Sequence, residues 1–331
     1  ARHADTIQEA HDFGTIENDT LLPLSDFADC DYIFLCTPVQ QNLIYLKELK
    51  SVIKPSCIIT DVGSVKSDIH KAVTALDIEA NFIGGHPMCG SEKTGFFNAT
   101  EYLLENAYYI ITPTAKTAPA QLEDFHALVK SLGSVPMILD YEKHDFATAA
   151  ISHLPHIIAS SLVNLVSDLD DEQETMRTIA AGGFKDITRI ASSSPVMWQN
   201  ICLSNQEQIL KLTDCYIHAL QNIRSSVADA KSDDIISFFR NAKDYRDSIT
   251  ITAKGALKNV YELYLDLIDE TGGIATVATI LASNNLSIKN IGIIHNREFE
   301  GGVLRLEMYD GESLALAVAL LKKHHYTIYE R

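Results

Sequence analysis

Residues 31–64 read DYIFLCTPVQQNLIYLKELKSVIKPSCIITDVGS. Two short apolar runs, DYIFLCTP (31–38) and CIITDVGS (57–64), flank a segment in which Leu43, Leu46, Leu49 and Ile53 recur at helical spacing. Apolar runs this short and continuous read as strands buried on both faces, and a helix between two of them predicts a β-α-β unit. The alternation continues outward. A helix is predicted over VKSDIHKAVTAL (65–76), strands over NFIGGHPM (81–88), AYYIITPT (107–114) and SVPMIL (134–139), and a further helix near 118–131. This pattern predicts a parallel sheet covered on both faces, with ligands beyond the carboxyl ends of its strands. Thr37-Pro38, Asp61 to Ser64 and Gly85 to Glu92 are the positions that such a sheet singles out.

Upstream, ARHADTIQEAHDFGTI (1–16) reads as the end of a second strand running into a helix. A strand and a Gly-rich turn are therefore expected before residue 1. Downstream, ISHLPHIIASSLVNLVSDL (151–169) is apolar nearly all round, which predicts a helix buried on most sides. Ile201, Ile209, Leu212, Ile217, Leu220 and Ile223 extend the helical texture, and so much apolar face predicts a homodimer. From about residue 256 the order becomes strand, Gly-Gly turn, helix, strand, hairpin, strand, helix, strand. That is the βαββαβ plan of a ferredoxin-like unit. The expected domains are a Rossmann-type α/β domain at 1–149, an all-α domain at 150–255 and a ferredoxin-like domain at 256–331.

The chain has 331 residues, 46% of them hydrophobic, with 44 acidic against 27 basic side chains and a net charge of -17. A surface this acidic repels phosphate backbones and anionic lipid, which argues against nucleic-acid and membrane partners. An anionic small molecule needs a local basic pocket. The six cysteines show no CxxC pair and read as buried apolar groups in a reducing compartment. With no run of 18 or more apolar residues and no signal-peptide pattern, the expected location is cytoplasmic.

CTPV (36–39), DVGSVK (61–66), GGHPMCGSEKTG (84–95), SHLPHIIA (152–159) and GGFKDITRIASSSPVMW (182–198) follow one another in this order and spacing. Together they resemble the prephenate and arogenate dehydrogenases of tyrosine biosynthesis. The C-terminal segment resembles an ACT domain, a regulatory unit that binds amino acids. The resemblance implies hydride transfer from C4 of prephenate to a nicotinamide, with loss of carbon dioxide to give 4-hydroxyphenylpyruvate.

Such a reaction needs a neutral base for the hydroxyl on the reacting carbon, and a histidine can serve near neutral pH. The resemblance assigns that role to His86. Gly84 and Gly85, lacking Cβ, are expected to let a cofactor ring approach the backbone. Ser64 on its own residues reads as the cap of the following helix; the resemblance makes it a partner of the substrate hydroxyl, His86 and the nicotinamide. Lys66 reads as a first-turn helix residue near the site.

A dianionic substrate needs cations. Arg189 can pair with a carboxylate through two hydrogen bonds, and Lys185 lies one turn earlier, with Asp186 orienting them. The resemblance assigns carboxylate binding to Arg189 and substrate binding to His156, with His153 and Ser152 supporting the pocket. His153 and His156 share a helical face, but without a third ligand they do not make a metal site, and the chemistry requires no metal. His144 and Asp145 either support the site from behind or cap a helix. Ser91 and Glu92 resemble the family's substrate-contacting hydroxyl and entrance carboxylate, or cap the next segment.

Thr37, Pro38, Ser64 and Gly85 are the expected cofactor contacts. The resemblance places Ala1 where NAD-specific members carry an acidic residue, followed by Arg2, which suits a 2′-phosphate. NAD is the default and NADP the alternative. In the ACT-like unit, Gly272 and Gly273 form a strand-to-helix turn whose N–H groups suit an amino-acid carboxylate, with Asn290 and Ile291 starting the facing strand. Tyrosine is the expected effector. The alternatives are an arogenate dehydrogenase and a non-catalytic amino-acid sensor.

Overall fold

The computed structural model describes residues 3–90, 95–249, 261–267, 272–294 and 302–330. Ser91, Glu92 and Arg2 lie outside the described residues. The chain divides into two compact units, Ala1–Lys243 and Asp244–Arg331.

The first unit opens with α1 (Ala4–Asp12) and continues through β1 (Tyr32–Leu35), α2 (Val39–Leu49), β2 (Ile58–Asp61), α3 (Ser67–Ala75) and β3 (Ile83–Pro87). β4 (Tyr108–Pro113), α4 (Pro119–Ser131) and β5 (Val135–Ile138) complete its α/β portion. β1 and β2 pair in parallel from Tyr32↔Ile58 to Leu35↔Asp61, and a parallel bridge between Ile59 and Phe82 leads to β3. The expected all-parallel sheet ends there. β4 runs antiparallel to β3, from Ile83↔Pro113 to Pro87↔Tyr109, and β5 is parallel to β4. Parallel neighbours need a crossover, commonly a helix. Among the described residues between β3 and β4 there are only short 3-10 turns (Phe96–Asn98 and Glu101–Leu104), so the chain returns along its neighbour in the opposite sense.

The apolar residues of the opening motif do what their spacing predicts. Leu46, Leu49, Ile59, Ile69, Val73 and Phe82 form one buried cluster. Ile83, Tyr109, Ile111, Phe125 and Val129 form a second. Full burial of each such side chain contributes roughly 1.5–3 kcal/mol.

The helical portion begins with α5 (Tyr141–Thr148), whose cap Asp140 accepts the N–H groups of Glu142 and Lys143. One widened π turn (Ala149–His153) joins it to α6 (Leu154–Leu169). Pro155 explains the widening: it has no N–H to donate, and its ring clashes with the carbonyl four residues earlier in a regular helix. There follow α7 (Thr175–Ile179), α8 (Gly182–Thr188), α9 (Pro195–Ser204), α10 (Gln206–Ala228) and α11 (Ser232–Ser248). The long helical span expected from Ile201 onward is broken at Asn205.

The sequence also predicts a buried helix over 151–169, and the single chain does not bury it. Only Ala159 of α6 is buried, while Ile151, Leu165 and Leu169 are exposed. By length and composition Tyr141–Leu169 is apolar enough to cross a bilayer, since its charged residues fall near the two ends. Exposed apolar side chains continue on later helices at Ile179, Leu203, Leu210 and Leu220. So many exposed large apolar side chains on these helices suit an interaction face.

The second unit contains β6 (Tyr261–Leu267), α12 (Gly273–Ala282), β7 (Ile288–Ile294), β8 (Gly302–Met308), α13 (Gly311–Lys323) and β9 (Ile328–Glu330). Its sheet order is β7-β8-β6-β9, antiparallel throughout, in the βαββαβ chain order. Leu263, Leu265, Leu304 and Leu306 form one buried cluster with Val277, Leu281 and Leu321. Gly272 caps α12 with φ 92°, a left-handed conformation that favours glycine. β7 starts at Ile288, two residues before Asn290, and carries an irregularity between those two residues.

Candidate active site

β1, β2 and β3 end in Leu35, Asp61 and Pro87, so Thr37 and Ser64 lie just beyond the ends of β1 and β2, and His86 is the last residue but one of β3. Thr37 is held by a hydrogen bond from its hydroxyl to Asn42 Oδ1, and Asn42 is wholly buried on α2. Pro38 is the N-cap of α2.

The loop after β2 is organised by a buried ion pair that sequence reasoning missed. Lys66 and Asp61 are both fully buried and joined side chain to side chain. Asp61 Oδ2 also accepts Gly63 N–H at 2.9 Å, and Lys66 Nζ donates to the Gly85 carbonyl oxygen at 2.6 Å. Burial lowers the Lys66 pKa, and the Asp61 charge opposes that shift. Lys66 is therefore an interior residue at the N-cap position of α3, rather than the simple first-turn residue expected.

Ser64 does not cap α3. The cap comes from Asp145 on α5, whose Oδ1 accepts Lys66 N–H at 2.8 Å and Oδ2 accepts Ser67 N–H at 2.7 Å. The Ser64 hydroxyl is half-buried and has no hydrogen-bond partner among the described residues, which leaves it available to a ligand.

The glycines before His86 also differ from expectation. A Cβ on Gly84 would lie 2.2 Å from Thr112 Oγ1 and 3.0 Å from His70 Nε2. One on Gly85 would lie 2.6 Å from the Asp61 carbonyl oxygen and 2.7 Å from Tyr109 Oη. Both are glycine because protein atoms fill the space on that side. The Gly85 N–H points to Asp61 Oδ1 and its carbonyl receives Lys66, so both backbone polar groups are already engaged.

His86 is half-buried. Its Nδ1 lies 2.8 Å from His144 Nε2, and its Nε2 has no partner among the described residues. Burial, with the neighbouring His144 ring and the Lys66 ammonium adding to it, holds His86 well below the ordinary imidazole value of 6.5. The ring is thus neutral at neutral pH and holds one nitrogen lone pair. His144 and Asp145 are both buried, with His144 Nδ1 2.8 Å from Asp145 Oδ1. Burial alone would raise the Asp145 carboxyl, yet hydrogen bonds from His144, Ser67 and Lys66 N–H together hold it below its usual range.

The π turn and α6 present His153 and His156 to Trp198 of α9. His156 stacks on the indole at 3.7 Å between centroids, and His153 meets it edge-on at 6.0 Å. Asn205, at the helix break, donates to the Asp145 carbonyl oxygen at 2.9 Å and to His153 Nδ1 at 3.1 Å. An accepting Nδ1 places the hydrogen of neutral His153 on Nε2. That N–H and the Trp198 Nε1–H are buried and without partners among the described residues. Buried donors left unmet are costly, and an anionic ligand group is a partner that satisfies them. His153 is held down to about 4 by burial, and His156 is lowered by burial and by the charge of Arg189. Arg189 and Lys185 are exposed, Arg189 just beyond α8 and Lys185 within it. Trp198, the chain's only tryptophan, and Asn205 were given no role by sequence reasoning; Trp198's place in the last quoted motif was the available signal.

Two family models match this arrangement in order: the nucleotide-binding domain of prephenate dehydrogenase over residues 2–138 and its dimerization domain over residues 140–241. The chain is 40% identical over 295 residues to the prephenate dehydrogenase of Bacillus subtilis (strain 168), spanning 88% of this chain and 80% of that protein. A solved structure of prephenate dehydrogenase from Aquifex aeolicus, in complex with hydroxyphenyl propionate and NAD+, aligns with TM-score 0.70 and 28% identity over 76% of this chain and 87% of that one. The Synechocystis arogenate dehydrogenase aligns with TM-score 0.68 and 29% identity over 75% of this chain and 89% of that one. With both portions of its first unit matched in sequence and in fold, the chain belongs to the prephenate dehydrogenase family.

Proposed function

We propose that the chain is an NAD(P)-dependent prephenate dehydrogenase, converting prephenate to 4-hydroxyphenylpyruvate and carbon dioxide. The observation that carries this reading is His86: one ring nitrogen is tied inward to His144, and the other is open at the end of β3. The residues at these strand ends fit a dinucleotide. Thr37 and Pro38 lead from β1 into the N-terminus of α2, whose first N–H groups have no partner within the helix, and the Ser64 hydroxyl has no partner among the described residues. When bound, the nicotinamide supplies the hydride acceptor.

The protein's own groups do the rest. His86 Nε2 takes the proton of the C4 hydroxyl as hydride leaves that carbon, and the Ser64 hydroxyl bridges the reacting oxygen and the base. Loss of carbon dioxide from the opposite ring carbon supplies the electron pair that makes the ring aromatic. Arg189 and His156 hold a substrate carboxylate, and the unmet N–H groups of His153 and Trp198 complete that end of the pocket. Lys185 is the secondary cation for the dianion, and Ser91 and Glu92, which lie outside the described residues, are the proposed substrate-contacting hydroxyl and entrance carboxylate.

In this reading residues 1–149 bind the cofactor, 150–255 bind substrate and pair two subunits through the bare apolar face of α6 and its neighbours, and 256–331 form an ACT domain. Gly272, Gly273, Asn290 and Ile291 there receive tyrosine as a feedback effector, and Arg2 contacts the adenosine ribose or its phosphate. Arogenate is the alternative substrate, favoured by the likeness to the Synechocystis enzyme. The test is absorbance of the reduced nicotinamide with prephenate or arogenate, NAD or NADP, and tyrosine present or absent. Turnover with prephenate is expected, and no turnover with any pairing overturns the reading.

A further inference from the structure

Behind His86 stands a chain of buried hydrogen bonds that ends on a helix. His86 Nδ1 is 2.8 Å from His144 Nε2, and His144 Nδ1 is 2.8 Å from Asp145 Oδ1. The Asp145 carboxylate also accepts the Lys66 and Ser67 N–H groups that open α3, at 2.8 and 2.7 Å. Those donors and the positive end of the helix favour the charged carboxylate independently of the histidines.

A carboxylate has no hydrogen to give, so the hydrogen between it and His144 sits on His144 Nδ1. With one hydrogen per ring, His144 Nε2 is then a lone pair. Thr148 does not supply a hydrogen to it. Its hydroxyl lies 3.3 Å from Nε2 but donates to the His144 carbonyl oxygen at 2.8 Å. The remaining donor is His86 Nδ1–H, which leaves the His86 lone pair on Nε2, the nitrogen that opens outward.

We propose that Asp145 and His144 are positioning residues that select the reactive tautomer of His86, through a relay running from the N-terminus of α3 to Asp145, His144 and His86. Neither residue touches substrate. The relay rests on the reading of His86 as the base, and it accounts for a helix cap drawn from 79 residues away. One carboxylate fixes both the hydrogen on His86 and the start of the helix that follows the Ser64 loop. Were His144 to carry its hydrogen on Nε2, it would donate to His86 Nδ1 and put the His86 hydrogen on the outward nitrogen, where a base needs a lone pair.

The test is nitrogen NMR of the full chain labelled at histidine, with His86 and His144 assigned from the spectra of His86→Gln and His144→Gln. At neutral pH both rings are expected to carry hydrogen on Nδ1. Asp145→Asn removes the charge that favours hydrogen on His144 Nδ1, and where its NH2 takes the Oδ1 position facing that nitrogen both hydrogens are expected to move to Nε2. The accompanying loss in kcat is expected to be about 10³–10⁴-fold, comparable with the effect of Asp→Asn in a Ser-His-Asp triad. KM is expected to stay within about threefold, and Asp145→Glu to recover at least about tenfold of the lost kcat, because it restores a carboxylate acceptor. Hydrogen on His86 Nε2 in the unsubstituted protein overturns the relay, and that spectrum decides the matter even if Asp145→Asn does not fold. So does a loss of activity in Asp145→Asn with the His86 tautomer unchanged. Expected tautomers without turnover of prephenate or arogenate would instead overturn the proposed reaction and leave the relay standing.

Discussion

The buried ammonium of Lys66 donates to the carbonyl oxygen of Gly85 at 2.6 Å, on the residue that precedes His86. Through its pairing with Asp61 the same ammonium joins the end of β2 to the end of β3. Removing one partner of a buried pair strands the other charge, at a cost of about 3–5 kcal/mol. Lys66→Met is expected to lose that much stability in urea unfolding. The double substitution Asp61→Asn/Lys66→Met is expected to lose less than Lys66→Met alone, because no charge is then left unpaired. A Lys66→Met protein as stable as the parent would show that the pair is not structural.

Removing the base and removing the anion clamp separate in kinetics. His86→Asn is expected to lower kcat by about 10²–10⁴-fold with KM nearly unchanged. Arg189→Ala is expected to raise KM by about 10- to 100-fold, the worth of a charge-assisted hydrogen bond, with a smaller effect on kcat. The opposite pattern would exchange the two roles. Because His86 is held well below 6.5, the acid limb of kcat/KM is expected below that pH in the unsubstituted enzyme.

Acid should weaken the fold well above the carboxylate range. His70 and His153 are both buried and held down to about 4, principally by burial. Between pH 6.5 and 4 the unfolded chain binds protons at these rings that the folded chain refuses, so stability falls as pH falls through that window and levels off below it. From the size of the two shifts, the loss between pH 7 and pH 5 is about 3–4 kcal/mol for the pair. His70 stacks on Tyr141 at 4.5 Å, so His70→Phe keeps the packing and is expected to remove about half of the pH dependence of denaturant unfolding. An unchanged slope in His70→Phe would mean that His70 is not a source of it.

The glycines of the GGHPMCG stretch should differ sharply in tolerance. Gly84→Ala forces a methyl to within 2.2 Å of Thr112 Oγ1, and overpacking of that kind costs about 1–3 kcal/mol or more. At Gly90 a Cβ meets nothing within 4 Å among the described residues, so Gly90→Ala is expected to change stability by less than about 0.5 kcal/mol. Thermal unfolding of the two variants makes the comparison, and equal midpoints would contradict the packing seen around Gly84.

Much of this site was legible because its residues sit at strand ends, and strand ends are marked locally. TP after YIFL, DVGS after CIIT and HP after FIGG each announce the close of an apolar run. What could not be read is what reaches those ends from elsewhere. Asp145 meets the N–H of Lys66 across 79 positions, and His144 meets His86 across 58. No periodicity encodes such separations. The antiparallel β4 was missed for a related reason: its composition is that of any buried strand, and its direction depends on the absence of a crossover helix among the described residues before it. Burial of the 151–169 helix was misread because an apolar face looks the same whether its own chain or another surface covers it.

The sequence by itself determined the elements, their order, and the placing of His86, Ser64 and Thr37 at the carboxyl ends of strands, since side-chain period and turn chemistry are local properties. Only the tertiary structure decided the state of those groups. It buried Lys66 against Asp61, filled the spaces beside Gly84 and Gly85 with protein atoms, and set Asp145 where it caps α3 and faces His144. Protonation, tautomer and burial are fixed by neighbours in space, and those neighbours come from distant parts of the chain.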